Sequence, residues 1–127
     1  MSHRERVMTH PERGSATAEL AVVLPALLMV TVLCVWAVGS VAAHLQCLDA
    51  ARTGARALAR EETRAEVVAV VEARAPRGAQ VRVVRLDGGL VAVEVEARVG
   101  LPGPWQDGGP GVSVGGRAVA AAEGASP

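Results

Sequence analysis

The chain has 127 residues, and its 13 basic residues, all arginine, balance 13 carboxylates to a formal net charge of +0. That balance excludes a general electrostatic attraction to nucleic acid or to acidic substrates. Trp36 and Trp105 are the only aromatic residues, so a core must be built from Val, Leu and Ala; in a domain of under about 90 residues such a core is thin and calls for cover from a membrane or from neighbouring subunits.

Met1 to Gly14 is polar and mixed in charge, with Arg4, Glu5, Arg6, Glu12 and Arg13, and His10-Pro11 argues against a continuous helix there. This stretch reads as a leader. From Leu20 to Leu48 there is no Asp, Glu, Lys or Arg. The most apolar part, Leu20 to Ala43, reaches roughly 36 Å as a helix, enough to cross a hydrocarbon core of about 30 Å with some tilt. Its twelve Leu and Val residues favour insertion by about 5 kcal/mol in total. The pattern predicts one helix from Ser15 to about Ala75, membrane-spanning over about 20–43 and amphipathic over 44–75. Pro25 removes a hydrogen bond and is expected to bend it, and Pro76 and Gly78 end it.

Beyond the apolar run, Leu45, Leu48, Ala51, Ala55, Leu58, Ala65 and Ala69 mark one stripe. Ala50, Ala51, Gly54, Ala55 and Ala57 are small enough to let another element approach closely. Arg52, Arg56, Arg60 and Arg64 recur every four residues, which aligns them on a second face. They form either a solvated face or a stripe that meets acidic groups on a neighbouring subunit. Cys34 and Cys47 lie about 20 Å apart by helical rise, too far for a bridge within one chain. Cys47 is then an unpaired buried thiol or a partner for another chain.

After Pro76 the apolar period changes to two. Val81 and Val83 flank Arg82, and Val91, Val93, Val95, Ala97 and Val99 alternate with Ala92, Glu94, Glu96 and Arg98, the pattern of half-buried strands. A three-residue turn, Asp87-Gly88-Gly89 with Gly89 left-handed, keeps the valines on one face. It pairs Leu86 with Leu90, Val83 with Val93, Val81 with Val95 and Arg82 with Glu94. Residues 100–111 form a Gly/Pro-rich loop around Trp105, a lid over the sheet or a partner contact. A third strand is expected from Val112 to Ala122, broken near Gly115-Gly116, followed by a disordered tail, Gly124 to Pro127. Val67, Val68 and Val71 are the natural cover for the valine face. The fold class is α+β, in which a long N-terminal transmembrane helix continues into a stalk capped by a small antiparallel β-sheet. Its segments are a leader (1–14), the helix (15–75) and the β region (76–127).

No constellation for catalysis stands out. His3 and His10 lie in the leader and His44 at the membrane edge. The glycines around Gly88 and Gly108 lack the strand-to-helix context and the Lys of a phosphate loop. No metal site, cofactor, small-molecule substrate or nucleic-acid partner is expected, and the chain does not read as an enzyme.

The informative residues are Arg13-Gly14-Ser15-Ala16-Thr17-Ala18-Glu19-Leu20, directly before the apolar run, with Leu24-Pro25 inside it. They resemble the processing site of type IV pilins and pseudopilins: a Gly, a cut, four mostly small residues, then Glu. The fuller resemblance is to the TadE-like minor pilins of the tight-adherence (Flp) secretion apparatus. It extends through the Ala/Arg/Gly-rich stretch Asp49 to Ala57, and Leu20 stands where that family commonly has Phe. The resemblance implies a structural pilin cut by a prepilin peptidase between Gly14 and Ser15, with its helix retained. Glu19 would pair with the new amine of a neighbouring subunit. The implied partners are the membrane, the peptidase, the assembly platform with its ATPase, and other pilins. The implied location is the cytoplasmic membrane, single-pass, N-terminus inside and β region outside, or a filament. Two alternatives compete: a secreted β protein with a signal peptide cut after Ala43, and an uncut signal-anchored protein that binds an envelope partner.

Overall fold

A computed structural model describes residues 11–104 and 108–121, with side chains from Gly14 onward. Five elements follow in order: α1 (Pro11–Ala59), α2 (Arg64–Arg74), β1 (Gln80–Arg85), β2 (Leu90–Gly100) and β3 (Gly111–Ala121). The architecture is α+β, a long apolar N-terminal helix and a small antiparallel sheet. Two compact units divide the chain between Val35 and Trp36.

The first unit is the N-terminal part of α1. The described helix runs from Pro11, so helix is already present before the expected start at Ser15. Gly14 and Ser15 therefore lie within its first turns. α1 runs through Pro25 without interruption. Large apolar side chains stand exposed around its whole circumference, among them Leu24, Leu27, Leu28, Val30 and Val35, with Leu28 66% exposed. A helix apolar all round and left uncovered by the described residues has the surface of a membrane span, and α1 is long and apolar enough to cross one.

The second unit contains the last turns of α1, then α2 and the sheet. The single helix expected to Ala75 is in fact two. α1 ends at Ala59, where Glu61 takes a left-handed φ of 63°. The Glu62 N–H donates to the Ala57 carbonyl at 3.2 Å and the Glu61 N–H to the Leu58 carbonyl at 2.9 Å. That pair of bonds is the Schellman helix stop. α2 restarts from a capping box: the Glu66 N–H donates to Thr63 Oγ1 at 3.3 Å, and the Thr63 N–H donates to Glu66 Oε2 at 2.9 Å. The break lets α2 fold back and bury Val67 and Val71, with Val68 half-buried, over the valine face as expected.

The sheet has the order β1-β2-β3, antiparallel throughout. Val83 pairs with Val93, Val81 with Val95 and Arg82 with Glu94, the expected register. The Leu86 N–H donates to the Leu90 carbonyl at 2.7 Å, and Gly88 and Gly89 both take positive φ in the turn. β3 is continuous, against the expected break at Gly115-Gly116. A Cβ on Gly116 would lie 2.5 Å from the Leu48 nitrogen and 2.6 Å from the Cys47 carbonyl carbon. The glycine is thus the point where strand backbone touches helix backbone. Gly54 serves the same end on α1, where a Cβ would meet Val71 Cγ2 at 2.5 Å.

The core comprises Cys47, Ala50, Ala51, Ala57, Val67, Val71, Val93, Val95 and Ala97. The buried stripe of α1 is therefore turned relative to the expected one. Ala43, Cys47, Ala50, Ala51 and Gly54 face inward, while Leu45, Ala65 and Ala69 are exposed. The sheet seats on the smallest residues because they allow the closest approach.

Candidate assembly site on the N-terminal helix

The helix start holds the residues that sequence alone singled out. Gly14 sits in the first turns of α1 with no atom within 4 Å of where a side chain would stand. Ser15 and Glu19 are exposed. They are four residues apart and so share a helix face, about 6 Å apart by rise. Glu19 lies more than two turns beyond Pro11, past the first turn in which the helix dipole favours a carboxylate. It stands directly before the run of exposed Leu and Val side chains that begins at Leu20. Pro25 lies further along the same apolar surface.

The arginine row is not brought together. Arg52 and Arg56 are exposed one turn apart on α1. Arg60 falls in the turn after α1, where its guanidinium donates to Glu62 Oε1 at 2.8 and 3.1 Å. Arg64 opens α2. The helix stop at Glu61 thus divides a row that a continuous helix would have aligned. An unexpected ion pair, Arg74 with Asp49 at 3.6 Å, links α2 to α1. Both side chains are well exposed, so it adds little stability.

Cys47 is fully buried, its Sγ 4.0 Å from the Val114 carbonyl. Burial pushes its thiol pKa up from the ordinary value of 9.0, which disfavours the reactive thiolate. Cys34 is exposed on α1. Trp105 lies outside the described residues, as does most of the leader. Trp36, which sequence reading left without a role, donates its indole N–H to the Val99 carbonyl at 3.4 Å. No local sequence signal marks that bond, since its partner is 63 residues away. Among the described residues no group of three or more His, Cys, Asp or Glu side chains gathers in metal-binding geometry.

Residues 14–56 match the TadE-like protein family. The match begins at the expected cleavage glycine and ends at the second exposed arginine of α1. The chain is also 36% identical over 105 residues to the apoptosis inhibitor Rv3655c of Mycobacterium tuberculosis, covering 83% of this chain and 77% of that protein. No solved structure matches.

Proposed function

Because the chain belongs to the TadE-like protein family, whose members are associated with the Tad pilus, we propose that it is a structural minor pilin or pseudopilin, not an enzyme. In this reading a prepilin peptidase cuts it between Gly14 and Ser15, and it joins a Tad/Flp filament through α1. The observation that carries the reading is the arrangement on α1. Its apolar side chains are exposed on every side from Leu20 onward, a single carboxylate, Glu19, stands at the head of that surface, and Gly14-Ser15 precedes it by about one turn.

The chemistry follows from that arrangement. The uncut helix sits in the cytoplasmic membrane with the leader inside and the β region outside. Cutting before Ser15 creates an α-amine with a pKa of about 7.7–8.0, mostly charged at neutral pH. When the subunit moves from the bilayer into a filament, that amine and the Glu19 carboxylate both leave water. Each then needs a partner, because an unpaired buried charge is costly. Pairing Glu19 of one subunit with the Ser15 amine of the next neutralises both. Such a pair contributes more to axial register than to stability. The peptidase, the assembly platform with its ATPase, and other pilins are the partners this requires. Arg52 and Arg56 remain as a shorter contact stripe for an acidic surface on a neighbouring subunit.

The competing signal-peptide reading fits the geometry poorly. A cut after Ala43 would sever α1 at a buried position and remove Trp36 from its bond to Val99.

Substituting Glu19→Ala tests the pairing. Cleavage should remain, since Glu19 lies beyond the scissile bond, while recovery of the protein in sheared filaments should fall sharply. Glu19→Ala protein that is cut and enters filaments at the wild-type level would rule out the charge pair.

A further inference from the structure

Both edges of the sheet present backbone groups that bond to nothing within it. β1 and β3 are the outer strands of the order β1-β2-β3. The Leu86 N–H donates to the Leu90 carbonyl and the Leu101 N–H to the Pro110 carbonyl, and along an antiparallel ladder bonded pairs alternate with non-bonded ones. Counted from those two bonds through the register, the N–H and C=O groups of Val81 and Val83 on β1, and of Ser113, Gly115, Arg117 and Val119 on β3, point away from β2. Among the described residues no hydrogen bond from outside the sheet reaches them. β3 also lacks the devices that blunt an edge strand. It is 11 residues long, contains no proline, and pairs with β2 residue for residue without a bulge. Its one charged side chain, Arg117, lies 3.6 Å from Glu94 on the neighbouring strand. Such an edge is a template for strand addition.

The strand that fits it is β1 of a second copy. β1 and β3 are each antiparallel to β2 and so run parallel to each other. A copy set beside the first in the same orientation therefore lays its β1 along β3 as a parallel strand. Charge selects the register. Arg82 and Glu96 are exposed, and among the described residues neither has an ion-pair partner. Glu96 stands beside Gly115, which has no side chain to cover it. With the next copy's Arg82 on the other side of Gly115, the two charged residues are two strand spacings apart, about 9.6 Å, and their long side chains meet over the bare glycine. The same register sets Ser113 beside the next copy's Gln80, and Val119 beside its Leu86. A shift of two residues in one direction sets Arg82 against Arg117, and in the other against Ser113 with Arg98 behind it. A shift of one residue turns the valines of β1 to the wrong face.

We infer that β3 binds β1 of a second copy, side by side in one continuous sheet, with the register fixed by Glu96 and the next copy's Arg82. The backbone bonds supply the attraction, and the exposed ion pair supplies specificity more than strength. The two surfaces differ, so the contact repeats along a row of copies, and every copy keeps its neighbour's orientation, as subunits anchored in one membrane must. The contact goes beyond the pairing of Glu19 with the Ser15 amine. It uses only strand residues of the second unit and requires neither cleavage nor a filament.

The test uses full-length protein in the membranes of expressing cells, with Cys34→Ala to remove the exposed thiol. Ser113→Cys and Gln80→Cys replace two exposed side chains. Within one chain these positions lie on opposite edges of the sheet, beyond the reach of a disulfide. Mild oxidation of the two single variants expressed together should give several-fold more linked dimer than either alone, and the double variant should give a ladder of multimers. Glu96→Arg should lower the linked fraction several-fold, and Glu96→Arg combined with Arg82→Glu should restore it. Dimer no more abundant in the mixture than in either single variant would overturn the contact. So would linking that Glu96→Arg leaves unchanged, or that the reversed pair fails to restore. A mature chain that starts at Met1 would refute the pilin reading and leave this contact standing.

Discussion

At Gly116 the strand and the helix touch backbone to backbone, so the missing side chain is what the position requires. Gly116→Ala puts a methyl group against the Cys47 and Leu48 main chain, which cannot rotate away. Gly54→Ala meets the tips of Val71 and Val93 instead. Overpacking of the second kind costs about 1–3 kcal/mol, and Gly116→Ala should lie at or above the top of that range. Chemical denaturation of the two variants gives the ranking, and equal stabilities would contradict the close contact. Glu61 makes the converse case, because it holds a left-handed conformation that costs a residue with a Cβ about 1–2 kcal/mol. Glu61→Gly should therefore stabilise the protein by about 1 kcal/mol, read as a higher denaturation midpoint. Cys47 gives a pH signature. Burial raises its pKa in the folded state, so the unfolded chain loses the thiol proton first. The stabilising contribution is complete below the ordinary thiol value and is lost as pH rises through the folded pKa. The chain has no Lys and no Tyr, so little else titrates in that range. Unfolding free energy should fall with pH above about 9 in the wild type, and Cys47→Ala should flatten that slope.

Sheet register was legible in the sequence because alternation leaves little choice. Val81, Val83, Val93 and Val95 must share one face, and only the three-residue turn puts them there. The helix break was harder to read. Residues 55–66 are rich in Ala, Arg and Glu, all good helix formers, and the left-handed position is filled by Glu61 with no glycine to mark it. The one readable signal was Thr63-Arg64-Ala65-Glu66, whose spacing is that of a capping box. Removing the cap with Thr63→Ala should cost about 1 kcal/mol and selectively raise amide exchange at the start of α2. Uniform exchange across α1 and α2 would show that the two helices are not separate elements. Gly115-Gly116 was read as a strand break because a sequence shows that a side chain is missing but not which neighbour needs the space. The arginine row failed with the helix that was to carry it. Gly14, Ser15 and Glu19 stand as candidates from sequence pattern, a local spacing directly before the apolar run, and the structure adds only that they are exposed on α1.

For the molecule as a whole, the proposed pilin reading has one sequence serve two surroundings. In that proposal α1 presents to lipid the same Leu and Val surface that would later pack against other subunits, and Glu19 with the amine made by cleavage would set how those subunits align. The β region supplies its own compact core from small residues and needs the helix from Trp36 onward to complete it. That division explains why a short chain with almost no aromatic residues can fold, since the apolar surface that no core covers is covered by the bilayer. Everything in this account depends on where the mature chain begins. The most direct measurement is the intact mass and N-terminal peptide sequence of the protein recovered from membranes of cells that carry the peptidase. The account predicts a chain that starts at Ser15 and retains the whole apolar helix. A chain that starts at Met1 or Ser2, or one that starts at His44, would contradict it.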